Sequence, residues 1–288
     1  MKKIPELALT AAAAVIGLFV LHERGWSADG PSSAPLKLVT DVAVPGPVGR
    51  FDYQSLDTAS GRLYVSQMGA GRLLVFDTRA NQVVSSLPGF PRATGVLAVP
   101  ERHRVYVSVA GRHELAAIND SSLQTVGRIG GIRFPDGIAY APDVQEIFVS
   151  DEAGGVDVAV DARRDVRDAT IELGGEAGNT HYDPVARRVL VAVQTRNDLV
   201  AIDPTTHRLI ARYAVPCGHP HGFLIDAPNR LAFVSCEGDA RLLVVDLRTT
   251  GDHSRDRAER ISRGRHHGCA VRVMLASQSC GITARLAP

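Results

Sequence analysis

Apolar and polar residues alternate along most of the chain, and Gly, Asp, Asn or Pro breaks the alternation about every ten residues. The stretch from Ile132 to Leu173 displays the pattern: FPDGIAYAP, then EIFVSDEAGGVDVAVDA, then RDVRDATIEL. A period of two with turn residues between the runs predicts four short antiparallel strands joined by tight turns.

The unit recurs. An aromatic or apolar residue of the second strand falls at Tyr64, Tyr106, Phe148, Leu190 and Phe233, in steps of 42, 42, 42 and 43. A residue closing the third strand falls at Asp77, Asn119, Asp161, Asp203 and Asp246. A polar residue opens the first strand at Asp52, Thr94 and Asp136, then at Gly178–Asn179 and His221. This repeat with four strands per unit predicts an all-β fold, a β-propeller of four-stranded antiparallel blades. One such sheet cannot cover both of its faces, so neighbouring blades must cover them.

Blade one is expected from about residue 51 to 89, and the next three end near 131, 175 and 216. Blade five supplies GFLID, LAFVSC and ARLLVVDL and then stops after its third strand. Residues 38–45, beginning LVTDVAV, read as an outer fourth strand without its own first three. The propeller body is therefore expected over 38–250.

The strings RLYVSQMGAGRLLVFDT, RVYVSVAGRHELAAIND and RLAFVSCEGDARLLVVDLRT resemble the YVTN-type β-propeller repeat family. The resemblance covers roughly residues 38 to 250 and is specific for fold, not for activity. It implies an exported or surface protein with seven blades. Five repeats are visible, so the resemblance implies an incomplete seven-bladed ring, truncated or frame-shifted after about Thr250; the alternative is a closed five-bladed ring in which the 38–45 strand completes blade five.

Two terminal segments fall outside the repeat. Lys2 and Lys3 precede an apolar run from Leu7 to Leu21, which reads as a secretory signal or N-terminal anchor over residues 1–28. Residues 29–37 read as a Ser/Pro/Gly-rich linker. Export to the periplasm or beyond follows, into an oxidising compartment. Residues 251–288 fit no blade and carry seven Arg against three acids, a basic tail that reads as non-native or disordered. The net charge of +1 and an aromatic content of 5% argue against nucleic acid as a partner, and a DNA-binding propeller is the weakest reading. No membrane contact is expected beyond the possible anchor.

Propeller geometry puts the start of each first strand beside the end of each second strand. The polar residues so placed are Asp52, Asp136, Asn179 and His221 from the first strands, and Glu152, Gln194 and Glu237 from the second. Together with His219 they would form a ligand site at the rim of a central channel. Their oxygens would suit a hard cation such as Ca²⁺. The bland reading is that they cap strands and bond turn amides. Cys217, His219, His221, Cys236 and Glu237 are the densest chemistry. Cys217 and Cys236 read as a disulfide candidate, with free thiols or a thiolate–imidazole metal site as alternatives. Cys269 and Cys280 lie in the tail and are assigned no role.

No nucleophile elbow, P-loop, dinucleotide fingerprint or HExxH occurs. The expected function is an exported module that binds a small molecule, peptide or protein. No catalytic residue, metal or cofactor is assigned. The alternative is a metal-dependent propeller hydrolase or lyase, lactonase-like in architecture, with a divalent cation at the rim.

Overall fold

A computed structural model describes residues 39–47 and 49–248. The expected export segment (1–28), linker (29–37) and basic tail (251–288) lie outside the described residues.

The architecture is all-β: five antiparallel blades arranged as a propeller. Blade 1 holds β1 (Gln54–Asp57), β2 (Arg62–Gln67), β3 (Arg72–Asp77) and β4 (Gln82–Pro88). Blade 2 holds β5 (Ala93–Val99), β6 (Arg104–Val109), β7 (Glu114–Asn119) and β8 (Thr125–Gly130). Blade 3 holds β9 (Pro135–Ala141), β10 (Glu146–Asp151), β11 (Val156–Asp161) and β12 (Val166–Glu172). Blade 4 holds β13 (Ala177–Asp183), β14 (Arg188–Val193), β15 (Asp198–Asp203) and β16 (Arg208–Ala214). Blade 5 has three strands, β17 (Pro220–Asp226), β18 (Leu231–Cys236) and β19 (Arg241–Asp246). In every blade the strands pair in sequence order.

Side-chain chemistry closes the turn after each third strand. The side-chain oxygens of Asp77, Asn119, Asp161, Asp203 and Asp246 accept the backbone N–H two residues on, at 2.8, 3.1, 2.8, 2.8 and 2.9 Å. A short polar side chain there mimics a backbone turn and ends the strand.

Four apolar clusters hold the blades together, one between each consecutive pair. Tyr64, Leu73 and Val75 of blade 1 pack on Val105 and Val107 of blade 2. Tyr106 and Leu115 meet Ile147 and Val158 of blade 3. Phe148 and Ala159 meet Val189 and Val191 of blade 4. Leu190 and Leu199 meet Phe223 and Val234 of blade 5. Among the described residues no cluster joins blade 5 to blade 1. The burial of single strands agrees. In β10, β11 and β14 every residue is buried, whereas β18 is buried only at alternate positions. Leu56 of blade 1 and Leu224 and Val244 of blade 5 are exposed.

Two expectations need correction. Seven blades are not supported; five are present among the described residues. Residues 39–45 form no strand, so the outer strand expected over 38–45 is not made there. Val39 and Val44 are exposed, so the alternation has no buried face to fill, and Pro45 and Pro47 remove backbone donors.

The first strands face the axis, and their ladder register sets which residues are equivalent. Gln54, Val96, Ile138, Thr180 and Phe223 pair with Val65, Val107, Val149, Val191 and Val234. One residue earlier, the column reads Tyr53, Gly95, Gly137, Asn179 and Gly222. Two residues earlier it reads Asp52, Thr94, Asp136, Gly178 and His221. Gly178, and not Asn179, is therefore the equivalent of Asp136. Inner strands approach closely here. A Cβ on Gly95 would fall 2.0 Å from the Asp136 carbonyl oxygen, and one on Gly137 would fall 2.8 Å from the Thr180 nitrogen. Glycine is needed for this approach.

Candidate functional site: the channel mouth

The glycine column leaves space at the axis that Tyr53 fills. Its hydroxyl hydrogen-bonds Asn179 Oδ1 of blade 4 and lies 3.2 Å from Asp136 Oδ2 of blade 3. Burial, followed by the charge of Asp136, raises the Tyr53 pKa well above the ordinary tyrosine value, so the hydroxyl keeps its proton. Below Tyr53 a cavity of about 450 Å³ runs between the inner strands of blades 1 to 4. Val96, Ile138, Tyr140, His181 and Tyr182 line it with Tyr53.

Above Tyr53 the polar residues converge. Asp136 is buried in β9, Glu152 follows β10, and His221 sits in β17. One ligand atom from each lies within 4.8 Å of the other two. His221 Nδ1 is 3.1 Å from Glu237 Oε1, and its Nε2 is 3.4 Å from Asp136 Oδ2. Nε2 is buried and has no aligned hydrogen-bond partner. Asp52 joins the edge of this group and pairs with Arg50 at 3.2 Å.

The electrostatics are those of crowded acids. Burial, then the charge of Asp136, raises Asp52 to about 6. Burial and Asp136 also raise Glu152. For His221 burial works downward, but Asp136, Glu237 and Glu152 outweigh it and raise the imidazole to about 9. Acids that retain protons and a histidine that holds its own are both signs of negative potential. A second hollow of about 460 Å³ beside Glu152 is lined by Glu172 and Glu176 among glycines, which extends the acidic surface.

The structure brings Asp52, Asp136, Glu152, Asn179, His221 and Glu237 to one mouth. Gln194 is close, but its amide nitrogen donates to the Ala177 carbonyl at 2.9 Å. His219 stays outside: its side chain is exposed, and its backbone N–H donates to Asn197 Oδ1 at 2.8 Å. Thr94 is buried and donates to the Pro135 carbonyl at 2.7 Å, which ties blade 2 to blade 3. Cys217 and Cys236 are joined in a disulfide with Cα atoms 6.0 Å apart, at the base of the hairpin that carries His221 and Glu237. The thiolate–metal alternative has no free thiol to use there.

Sequence reasoning missed Tyr53. The signal was present, since the 42-residue step places it in a column otherwise occupied by Gly95, Gly137 and Gly222. It also missed Asp157, fully buried with neither carboxylate oxygen partnered in an aligned hydrogen bond. A third omission is the group Glu146, Asp168 and His207, where His207 Nε2 lies 2.8 Å from Glu146 Oε2. One blade earlier the same two positions are Arg104 and Asp165, an ion pair at 3.4 Å. The repeat thus reads Glu146–His207 as a blade-to-blade tie with its charges exchanged.

No protein-family model matches the chain, and no curated protein matches it. Solved structures do. Hydrazine synthase from Kuenenia stuttgartiensis superposes with a TM-score of 0.59 at 12% identity, over 74% of this chain and 81% of that one. Dihydro-heme d1 dehydrogenase NirN in complex with DHE superposes with a TM-score of 0.53 at 17% identity, over 67% of this chain. The aligned part spans 44% of the NirN chain. At such identities the likeness concerns the fold alone.

Proposed function

We propose that the protein is an exported binding propeller that captures a small ligand bearing a positive centre at the mouth of its channel. The observation that carries this reading is the convergence of Asp52, Asp136, Glu152 and Glu237 around one histidine, above a cavity lined by aromatic and aliphatic side chains. Carboxylates so placed repel anions and favour cations. Export is supported by the Lys2–Lys3 pair before an apolar run, and by the disulfide.

A thermal-shift panel of small organic amines and matched carboxylates tests the reading. The amines are expected to raise the melting temperature of the wild type and to lose that effect in Asp136→Asn. A panel in which the carboxylates stabilise and the amines do not would overturn it.

The second reading, a metal-dependent hydrolase or lyase, is favoured by one observation: Asp136, Glu152 and His221 can converge on a single ion. Lactone hydrolysis that depends on added divalent metal would select it over the binding module.

A further inference from the structure

We propose that Asp136, Glu152 and His221 form a binding centre for one divalent transition-metal ion of the zinc or manganese kind. The inference rests on the channel-mouth reading and names its positive centre.

Geometry carries the argument. Two ligand atoms about 2.1 Å from a tetrahedral ion lie about 3.4 Å apart. His221 Nε2 and Asp136 Oδ2 are 3.4 Å apart, yet Nε2 makes no aligned hydrogen bond to that oxygen. The two atoms form an ion pair whose spacing also lets both reach a single ion. The other ring nitrogen supports this. Nδ1 contacts Glu237 at 3.1 Å. A metal that displaces the Nε2 proton leaves the Nδ1 proton facing Glu237, the carboxylate–histidine–metal relay by which proteins fix the tautomer of a ligand.

The donor set selects the ion. One imidazole and two carboxylates suit zinc or manganese, whereas Ca²⁺ prefers six to eight oxygens. Three protein ligands leave one position of a tetrahedral ion for an exogenous group. The three come from β9 and the end of β10 in blade 3 and from β17 in blade 5, so the centre also ties these two blades together.

The test is calorimetric titration of metal-stripped, untagged full-length protein with Zn²⁺ and Mn²⁺. The wild type is expected to bind one ion tightly. Glu152→Gln and His221→Gln are each expected to weaken binding by about 100-fold, and Glu237→Gln by about 10-fold. His207→Gln, and the tail pair His266→Gln with His267→Gln, are expected to leave it unchanged. Circular dichroism of each variant checks the fold, and Glu152 is the safeguard because it is only partly buried. Unchanged affinity in folded Glu152→Gln and His221→Gln, or binding lost with the tail pair instead, would overturn the metal centre. If metal fails to bind but organic amines still stabilise the wild type and not Asp136→Asn, the metal inference falls and the binding reading stands. If neither acts, both fall.

Discussion

The Tyr53 hydroxyl hydrogen-bonds Asn179 Oδ1, and the two residues occupy the same ladder position in blades 1 and 4. They meet across the axis because the intervening blades carry Gly95 and Gly137 at that position. Tyr53→Phe keeps the ring and removes the donor, leaving Asn179 and the buried Asp136 without it. A loss of about 1–3 kcal/mol is expected, read as a lower urea midpoint with an unchanged slope.

Blade 5 is fastened to blade 4 by a charged fork. Arg230 donates from Nη1 to Asp183 Oδ1 at 2.5 Å and from Nη2 to Oδ2 at 2.9 Å, and the Asp183 side chain is fully buried. Arg230→Ala removes both bonds, leaves the buried carboxylate to the Val185 and Ala186 amides and to Arg188 at 3.7 Å, and is expected to cost about 1–3 kcal/mol in denaturant unfolding. Arg230→Lys is expected to recover only part of the loss, since an ammonium cannot make two parallel bonds.

Asp157 makes stability depend on pH. Burial raises its carboxyl to about 7. A folded-state value above the unfolded one means that the native protein holds the proton more tightly. Its stabilising contribution is therefore full below the unfolded value near 3.8 and is lost as pH rises through about 7. Asp157→Asn is expected to raise stability at pH 8 by up to about 4 kcal/mol relative to its effect at pH 3. Thermal melts of both proteins across that range check the difference.

The Cys217–Cys236 bond closes a loop with a sequence separation of 19 residues. Reduction, or the Cys217→Ser/Cys236→Ser pair, is expected to cost about 3 kcal/mol. Thiol titration of the unfolded, unreduced protein is expected to find two fewer reactive cysteines than after reduction. An equal count in both would remove the claim.

The fold was legible because its signals are local and repeated. Asp77, Asn119, Asp161, Asp203 and Asp246 mark their turns through bonds to residues two positions away, and alternation marks the strands. The mouth was legible in part for the same reason: Asp136, Glu152, His221 and Glu237 stand at strand ends that the repeat locates. The Tyr53–Asn179 contact spans 126 residues and depends on the length of one side chain in a glycine column, which alternation does not encode. The Asn179 column itself was misread, because the Gly178–Asn179 pair gives no apolar landmark and only the ladder separates the two residues. Asp157 was passed over since an acid inside an apolar strand looks like an outward-facing polar residue until the neighbouring blade covers it.

Four clusters serving five blades give the molecule the energetics of a linear array. In apolar packing among the described residues each blade is held only by its neighbours, and blades 1 and 5 have one neighbour each, with polar contacts such as Tyr53–Asn179 and His221–Asp136 reaching across the axis, so unfolding need not be all-or-none. Amide hydrogens of β10 and β11 should then exchange last, through opening of the whole body. Those of β2 and β18 should exchange sooner, as blades 1 and 5 come away singly. An ion that gripped His221 together with Asp136 and Glu152 would slow exchange in β18 without touching β2, so the two ends of the molecule would lose their kinetic equivalence.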